Sequence, residues 1–203
     1  MSAKEKEHWF TRVENMHPYQ TLVYLGMFGS GIIFLFLLIA FLGSQATFRF
    51  NGLLSLPKSF IASSFLLIWS GYSANKILPF FNASDLEKLK SAVSETVLLG
   101  MAFSGLQLVG WRELTAMGLP FVGLPSGSFV YVLSGIHLVH LVGAMIYALI
   151  LLFQLRACEK DGIKHLLLFS NPYNRMKFTL FSVYWKFMDL VWIILFITLI
   201  MVV

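Results

Sequence analysis

Residues 20–43, QTLVYLGMFGSGIIFLFLLIAFLG, carry no charged side chain, and none occurs between Glu14 and Arg49. A helix crosses a hydrocarbon core of about 30 Å in roughly 20 residues, so this stretch reads as a membrane span. Four further stretches approach the same character, at about 57–78, 89–111, 128–155 and 178–203. The weakest, 57–78, is interrupted by Ser59, Ser63, Ser64, Ser70 and Ser73. It can span only if those hydroxyls bond back to helix carbonyls or across to a neighbour. Composition agrees: 58% of the 203 residues are apolar and 12% charged, against about 25% charged in a soluble domain. The expected fold is all-α, a polytopic membrane protein whose single domain, residues 1–203, is a five-transmembrane-helix bundle.

The connections are punctuated by Asn51-Gly52 and Pro57, by Pro79 closing the second helix, by Pro120, Gly123 and Pro125, and by Asn171-Pro172 ending the fourth. Residues 1–19 mix acids, bases and aromatics, which suits a cytoplasmic segment lying along the membrane surface better than a cleaved signal peptide. The net charge of +5 comes from cations that flank the spans and form no basic stripe, so no nucleic-acid partner is expected. Eleven of them, including Lys4, Lys76, Lys88, Lys160 and Arg175, fall on one side of the bundle, against Arg49, Lys58 and Arg112 on the other. The positive-inside bias therefore places the N-terminus in the cytoplasm and the C-terminus outside.

A charge at the centre of a membrane helix costs about 2.5–3.5 kcal/mol on insertion scales, so each needs a reason. The candidates are Glu95, His137, His140, Lys186 and Asp189. By helical rise, Asp189 and His137 fall at similar depths, about 14–16 Å from opposite ends of their helices. These levels predict an internal polar network that pairs Glu95 with Lys186 and an imidazole with Asp189. One reading of it is a structural clamp, with Lys186 free to snorkel toward headgroups. The other is a proton path or ion site.

Other chemistries find little footing. The single Cys158 excludes a disulfide framework and any site built on paired thiolates. His137-x-x-His140 offers two metal ligands on one face, but His8, His17 and His165 lie in segments on the cytoplasmic side, so no metal or haem is expected in this chain. Ser104-Gly105 and Ser134-Gly135 lack the leading glycine of an intramembrane serine protease. Small residues at Gly26 and Ser30, Ser70 and Ala74, and Gly135 and Gly143 mark faces where helices can approach closely.

Three motifs carry a family resemblance. Residues 184–192, YWKFMDLVW, are similar to the signature YWHFVDVVW of subunit III of the haem-copper oxidases. Residues 127–143, GSFVYVLSGIHLVHLVG, resemble that family's GSxFYxLTGxHGxHVxxG. Leu99-Gly100, Phe103, Gln107 and Trp111-Arg112-Glu113-Leu114 match its LGxxFxxxQ and W-R-x-L elements. Two departures stand out: Gly31 follows Ser30 where the family often has a glutamate, and Lys186 replaces a histidine.

The resemblance implies a non-redox accessory subunit of a bacterial respiratory terminal oxidase, of the short five-helix type. Such a subunit packs against catalytic subunit I and other oxidase subunits in the inner membrane, with haems and copper held by those partners and phospholipid as a companion. It would stabilise the catalytic subunit and support proton uptake, alone or within a larger respiratory supercomplex. Gln107, Trp111, Tyr184, Trp185 and Trp192 become family-like packing or interface positions, with Trp111 also suited to anchoring in the headgroup layer. The readings left open are a small transporter or channel using the buried charges, and the subunit III-like partner of nitric oxide reductase.

Overall fold

The computed structural model describes residues 16–47, 56–122, 125–159 and 161–202. The surface segment expected at 1–19 lies outside them as far as residue 15, as do Asn51-Gly52 and Gly123. The described residues form helices α1 (Pro18–Thr47), α2 (Lys58–Asn82), α3 (Leu86–Ala116), α4 (Pro125–Glu159), α5 (Gly162–Ser170) and α6 (Pro172–Val202). The five long helices expected are present. Four of them, α1, α3, α4 and α6, are long and apolar enough to cross a membrane. Helix α2, with its serines, is not among these four.

The turn chemistry departs from expectation at two prolines. Pro79 does not close α2; it sits in the last turn, and the Ala83 N–H donates to its carbonyl at 3.0 Å. A proline so near the end forfeits one hydrogen bond without disrupting the helix body. Asn171-Pro172 does not end the fourth helix but starts α6. Proline suits the first helical position, and the Asn171 Oδ1 caps the turn by accepting from the Tyr173 N–H at 2.9 Å. Between them α5 occupies what reads in sequence as a loop. Asp161 caps it, accepting from the Ile163 N–H at 3.0 Å.

Asp85 caps α3 in the same way through the Lys88 N–H at 3.1 Å. The Lys88 side chain, by its hydrogen bond to Asp85, holds that carboxyl below the ordinary carboxylate range. A depressed folded-state value keeps the cap charged at neutral pH, and it is lost only as pH falls through that value. At the other end of α3, Gly118 takes φ +83°, and the Leu119 N–H donates to the Leu114 carbonyl at 3.1 Å, a Schellman closure.

The hairpin of α2 and α3 is the most extensive helix pair; α6 packs on α2, and α4 bridges α3 and α6. On α3 the buried stripe Leu89, Val93, Thr96, Gly100, Phe103, Gln107, Gly110 and Leu114 alternates four- and three-residue steps. On α6 the same alternation runs through Phe181, Trp185, Met188, Trp192, Leu195 and Leu199. That heptad spacing keeps one seam facing a near-parallel or antiparallel neighbour. Helix α1 packs chiefly on α4 and α6 and is the least buried of the apolar four, exposing Leu22, Leu25, Phe28, Leu35 and Phe36.

Close approach within the hairpin depends on Gly110, where an added Cβ would lie 2.2 Å from the Phe60 ring. Gly110→Ala should destabilise the protein by about 1–3 kcal/mol through overpacking. Gly29→Ala, with nothing within 4 Å of its Cβ, should stay within about 0.5 kcal/mol of the parent. Unfolding of the detergent-solubilised variants measures both.

Candidate functional site in the polar interior

The serines that lower the apolarity of α2 point inward. Ser59, Ser63, Ser64, Ser70 and Ser73 are all buried. Ser63 and Ser64 donate to the Phe60 carbonyl at 3.0 and 2.8 Å, and Ser70 to the Leu67 carbonyl at 2.8 Å. Their own oxygens remain free to accept across the bundle. Trp185 Nε1–H donates to Ser70 Oγ at 3.1 Å, Trp192 Nε1–H to Ser64 Oγ at 2.9 Å, and Gln107 Nε2–H to Ser63 Oγ at 2.8 Å. Trp185 and Trp192 are seven residues apart, hence on one face of α6, and α2 runs antiparallel beside it. An indole N–H has one donor and no acceptor, so each needs one such oxygen. Trp185 also inserts beside Gly100, where a Cβ would lie 3.0 Å from its ring.

The predicted pairing of Glu95 with Lys186 is not formed. Ser73 Oγ–H and Trp69 Nε1–H, both from α2, donate to the Glu95 carboxylate at 2.9 and 3.1 Å. The reason is positional: α2 is the neighbour that Glu95 meets. Lys186 follows the inward-facing Trp185 by one residue, about 100° round the helix, and is exposed. It makes no ion pair with a described residue.

Nor do the histidines meet Asp189. His137 is fully buried in an aromatic box, with ring centroids 5.2 Å from Trp192, 5.7 Å from Phe103 and 6.4 Å from Phe34. Neither of its nitrogens bonds a described residue. His140 turns its Nδ1 to the Ile136 carbonyl at 2.8 Å. Asp189 lies against Gly71 of α2, where a Cβ would come within 2.2 Å of Oδ2, and its Oδ1 is buried without a partner among the described residues. Depth along each helix placed these groups at similar levels; the rotation of each helix keeps them apart. Among the described residues no three His, Cys, Asp or Glu side chains gather as a metal-ligand set.

Trp111 is half-buried, and its Nε1–H donates to Ser134 Oγ at 2.9 Å. Tyr184 is half-buried. Gly31 faces the Phe187 ring, 3.6 Å from where its Cβ would be, so that position is apolar. One functional carboxylate escaped the sequence reading. Glu113, within the W-R-x-L element, accepts from both the backbone N–H and the hydroxyl of Ser59, in the first turn of α2. It caps that helix from its neighbour, where an anion is favoured. An acid directly after a Trp-Arg pair at a helix end was the available signal.

The family model described as cytochrome c oxidase subunit III matches residues 60–202. The chain belongs to the cytochrome c oxidase subunit III family. It is 32% identical over 144 residues, 71% of its length, to the cytochrome c oxidase subunit 3 of Bacillus sp. (strain PS3), spanning 64% of that relative. A probable quinol oxidase subunit 3 of Staphylococcus aureus (strain USA300) is 26% identical over 134 residues, 66% of this chain and 61% of its own. The chain thus spans just under two thirds of the length of these relatives. The subunit III match covers α2 to α6 except the first two residues of α2, and so includes the ladder of Ser63, Ser64 and Ser70 with Gln107, Trp192 and Trp185; α1 lies before it.

Ser63→Ala alone strips the Gln107 amide of its acceptor, while Gln107 Oε1 already has no partner among the described residues. That variant should lose about 1–3 kcal/mol, and Ser63→Ala with Gln107→Leu should lose less than the sum of the two single changes. A double-mutant cycle on unfolding in detergent reads the difference.

Proposed function

We propose that this chain is the non-redox subunit III of a bacterial respiratory terminal oxidase, seated in the inner membrane against catalytic subunit I and the complex's other subunits. The observation that carries the reading is the family match over α2 to α6, together with an interior whose two buried α6 tryptophans are hydrogen-bonded to α2. In this reading oxygen reduction and proton pumping take place at haems and copper in the partner subunits. This chain contributes a preformed, rigid face that stabilises the catalytic subunit and supports proton uptake. Glu95, His137, His140 and Asp189 serve cohesion, each held by neighbours or packed in place, and Lys186 reaches outward. Bound phospholipid, and membership of a larger supercomplex, accord with the same role.

Five crossings are proposed, with the N-terminus inside and the C-terminus outside. Helix α2 crosses because its serines face protein and find partners there, so that its lipid side presents Ile61, Phe65, Ile68 and Trp69. A periplasmic-type reporter fused after Val203 should be active and a cytoplasmic one silent; the reverse result, with the N-terminus inside, would require an even number of crossings and overturn five.

The functional test is purification of the tagged chain from its native membrane in mild detergent, with a reduced-minus-oxidised spectrum and mass spectrometry of what accompanies it. Haem bands and a large histidine-rich membrane protein are expected, and the identity of that protein separates oxygen from nitric oxide chemistry. A colourless protein recovered alone overturns the subunit reading and returns the buried Asp189 to a transport assay.

A further inference from the structure

A groove of about 550 Å³ opens between α1, α4 and α6, away from the serine ladder. Its mouth lies near the start of α1 and α6, at Tyr19, Tyr173 and Lys177, and its far end reaches Ser30 and His140. Tyr184 lies eleven helical steps beyond Tyr173 on α6, about 16 Å of helix, so the groove runs from one end of the bundle toward the middle of the bilayer. Its volume is within the roughly 300–1,000 Å³ typical of small-molecule pockets. The small residues Gly26 on α1 and Gly143 on α4, which read in sequence as helix-contact faces, instead line this space. A Cβ on either would meet nothing within 4 Å.

The walls are mainly apolar, with a few polar groups set among them. Tyr147 and Tyr184, both half-buried, line the groove beyond its mouth residues Tyr19 and Lys177, and no hydrogen bond joins their hydroxyls to a described residue. The Nδ1 of His140 faces a carbonyl, which can only accept, so Nδ1 carries the proton and Nε2 is left as an acceptor. In hydrocarbon an unmet hydrogen-bonding group is costly. A phospholipid would satisfy Lys177 at the mouth but would lay methylenes against these deeper groups. An occupant that suits the groove carries its polar atoms at the inner end, on a flat body that fits between two glycines, and an apolar tail that leaves toward the bilayer.

We propose that this groove binds a quinone-type headgroup, a planar ring with oxygens at opposite ends. One ring hydroxyl donates to His140 Nε2, the oxygens accept from Tyr147 and Tyr184, and Phe181 packs at the ring's edge. The isoprenoid tail runs out along α1. The proposal concerns binding by this chain's own side chains and stands whether or not the chain is recovered with an oxidase.

The test uses the chain in whatever assembly it leaves its native membrane with. A photoactivatable azido-benzoquinone bearing a decyl tail is the probe, and mass spectrometry maps the labelled peptides. Saturable labelling of α4 and α6 peptides around Tyr147 and Tyr184, competed by decyl-benzoquinol and not by phosphatidylglycerol, is expected. Gly143→Leu and Gly26→Leu narrow the groove from opposite walls, at positions where an added Cβ meets nothing within 4 Å, and each should lower labelling about tenfold or more while leaving the unfolding profile intact. If one of them misfolds, the other decides. Competition by phosphatidylglycerol as effective as by the quinol would make the groove a lipid site and overturn the proposal. Labelling that is absent, or unchanged in a folded groove-filling variant, overturns it as well.

Discussion

The structure depends on one constraint of its solvent: inside a bilayer a polar hydrogen has no water to fall back on. The two tryptophans of α6 and the glutamine of α3 bring three N–H donors to the centre of the bundle, and the serines of α2 supply one oxygen for each. Because serine donates to its own helix one turn back, its cost is met locally, and its acceptor capacity remains available to the neighbour. Helix α2 is therefore weakly apolar and closely packed on α3 and α6 for the same reason. A leucine at Ser64 or Ser70 would make α2 a better membrane span and a worse partner.

Small side chains set how close those donors and acceptors come. Gly110 admits Phe60, Gly100 admits Trp185, and Gly71 admits the carboxyl group of Asp189. Each glycine sits on the hairpin of α2 and α3, opposite a bulky or polar group of another helix. Hydrophobic area gives little drive for association in lipid, so shape and hydrogen bonds must supply it. The interior combines the two, with large aromatic rings lodged against bare backbone and their N–H groups tied across the seam.

Much of this was legible in sequence, and the boundary of what was not is physical. Apolar run length gave the long helices, and the residues 127–143 and 184–192 pointed to the family. Levels along each helix follow from the fixed rise per residue. Azimuth does not. Glu95 and Lys186 share a level yet do not pair, because Glu95 meets α2 and Lys186 is turned outward beside Trp185. The heptad stripe on α3, with Gln107 in phase with Val93, Gly100 and Leu114, did carry the azimuth and marks Gln107 as inward-facing. Helix α5 was missed because its nine residues mix Lys164 and His165 with leucines between two segments rich in turn residues. Asn171-Pro172 reads equally as an ending or a beginning until the capping bond to Tyr173 is seen.

The division of labour among the helices follows from where the hydrogen bonds lie. Helices α2, α3, α4 and α6 are joined by bonds between side chains, whereas α1 meets the others through rings: Phe34 against His137 and His140, and Phe187 against Gly31. Ring contacts are tolerant of small shifts in a way that a 2.9 Å hydrogen bond is not. The family match also begins past α1, at residue 60. The groove opens between this helix, α4 and α6, with Tyr19 and Tyr173 in ring contact at its mouth. Among the described residues, side-chain bonds thus join four helices, and the cleft opens beside the fifth.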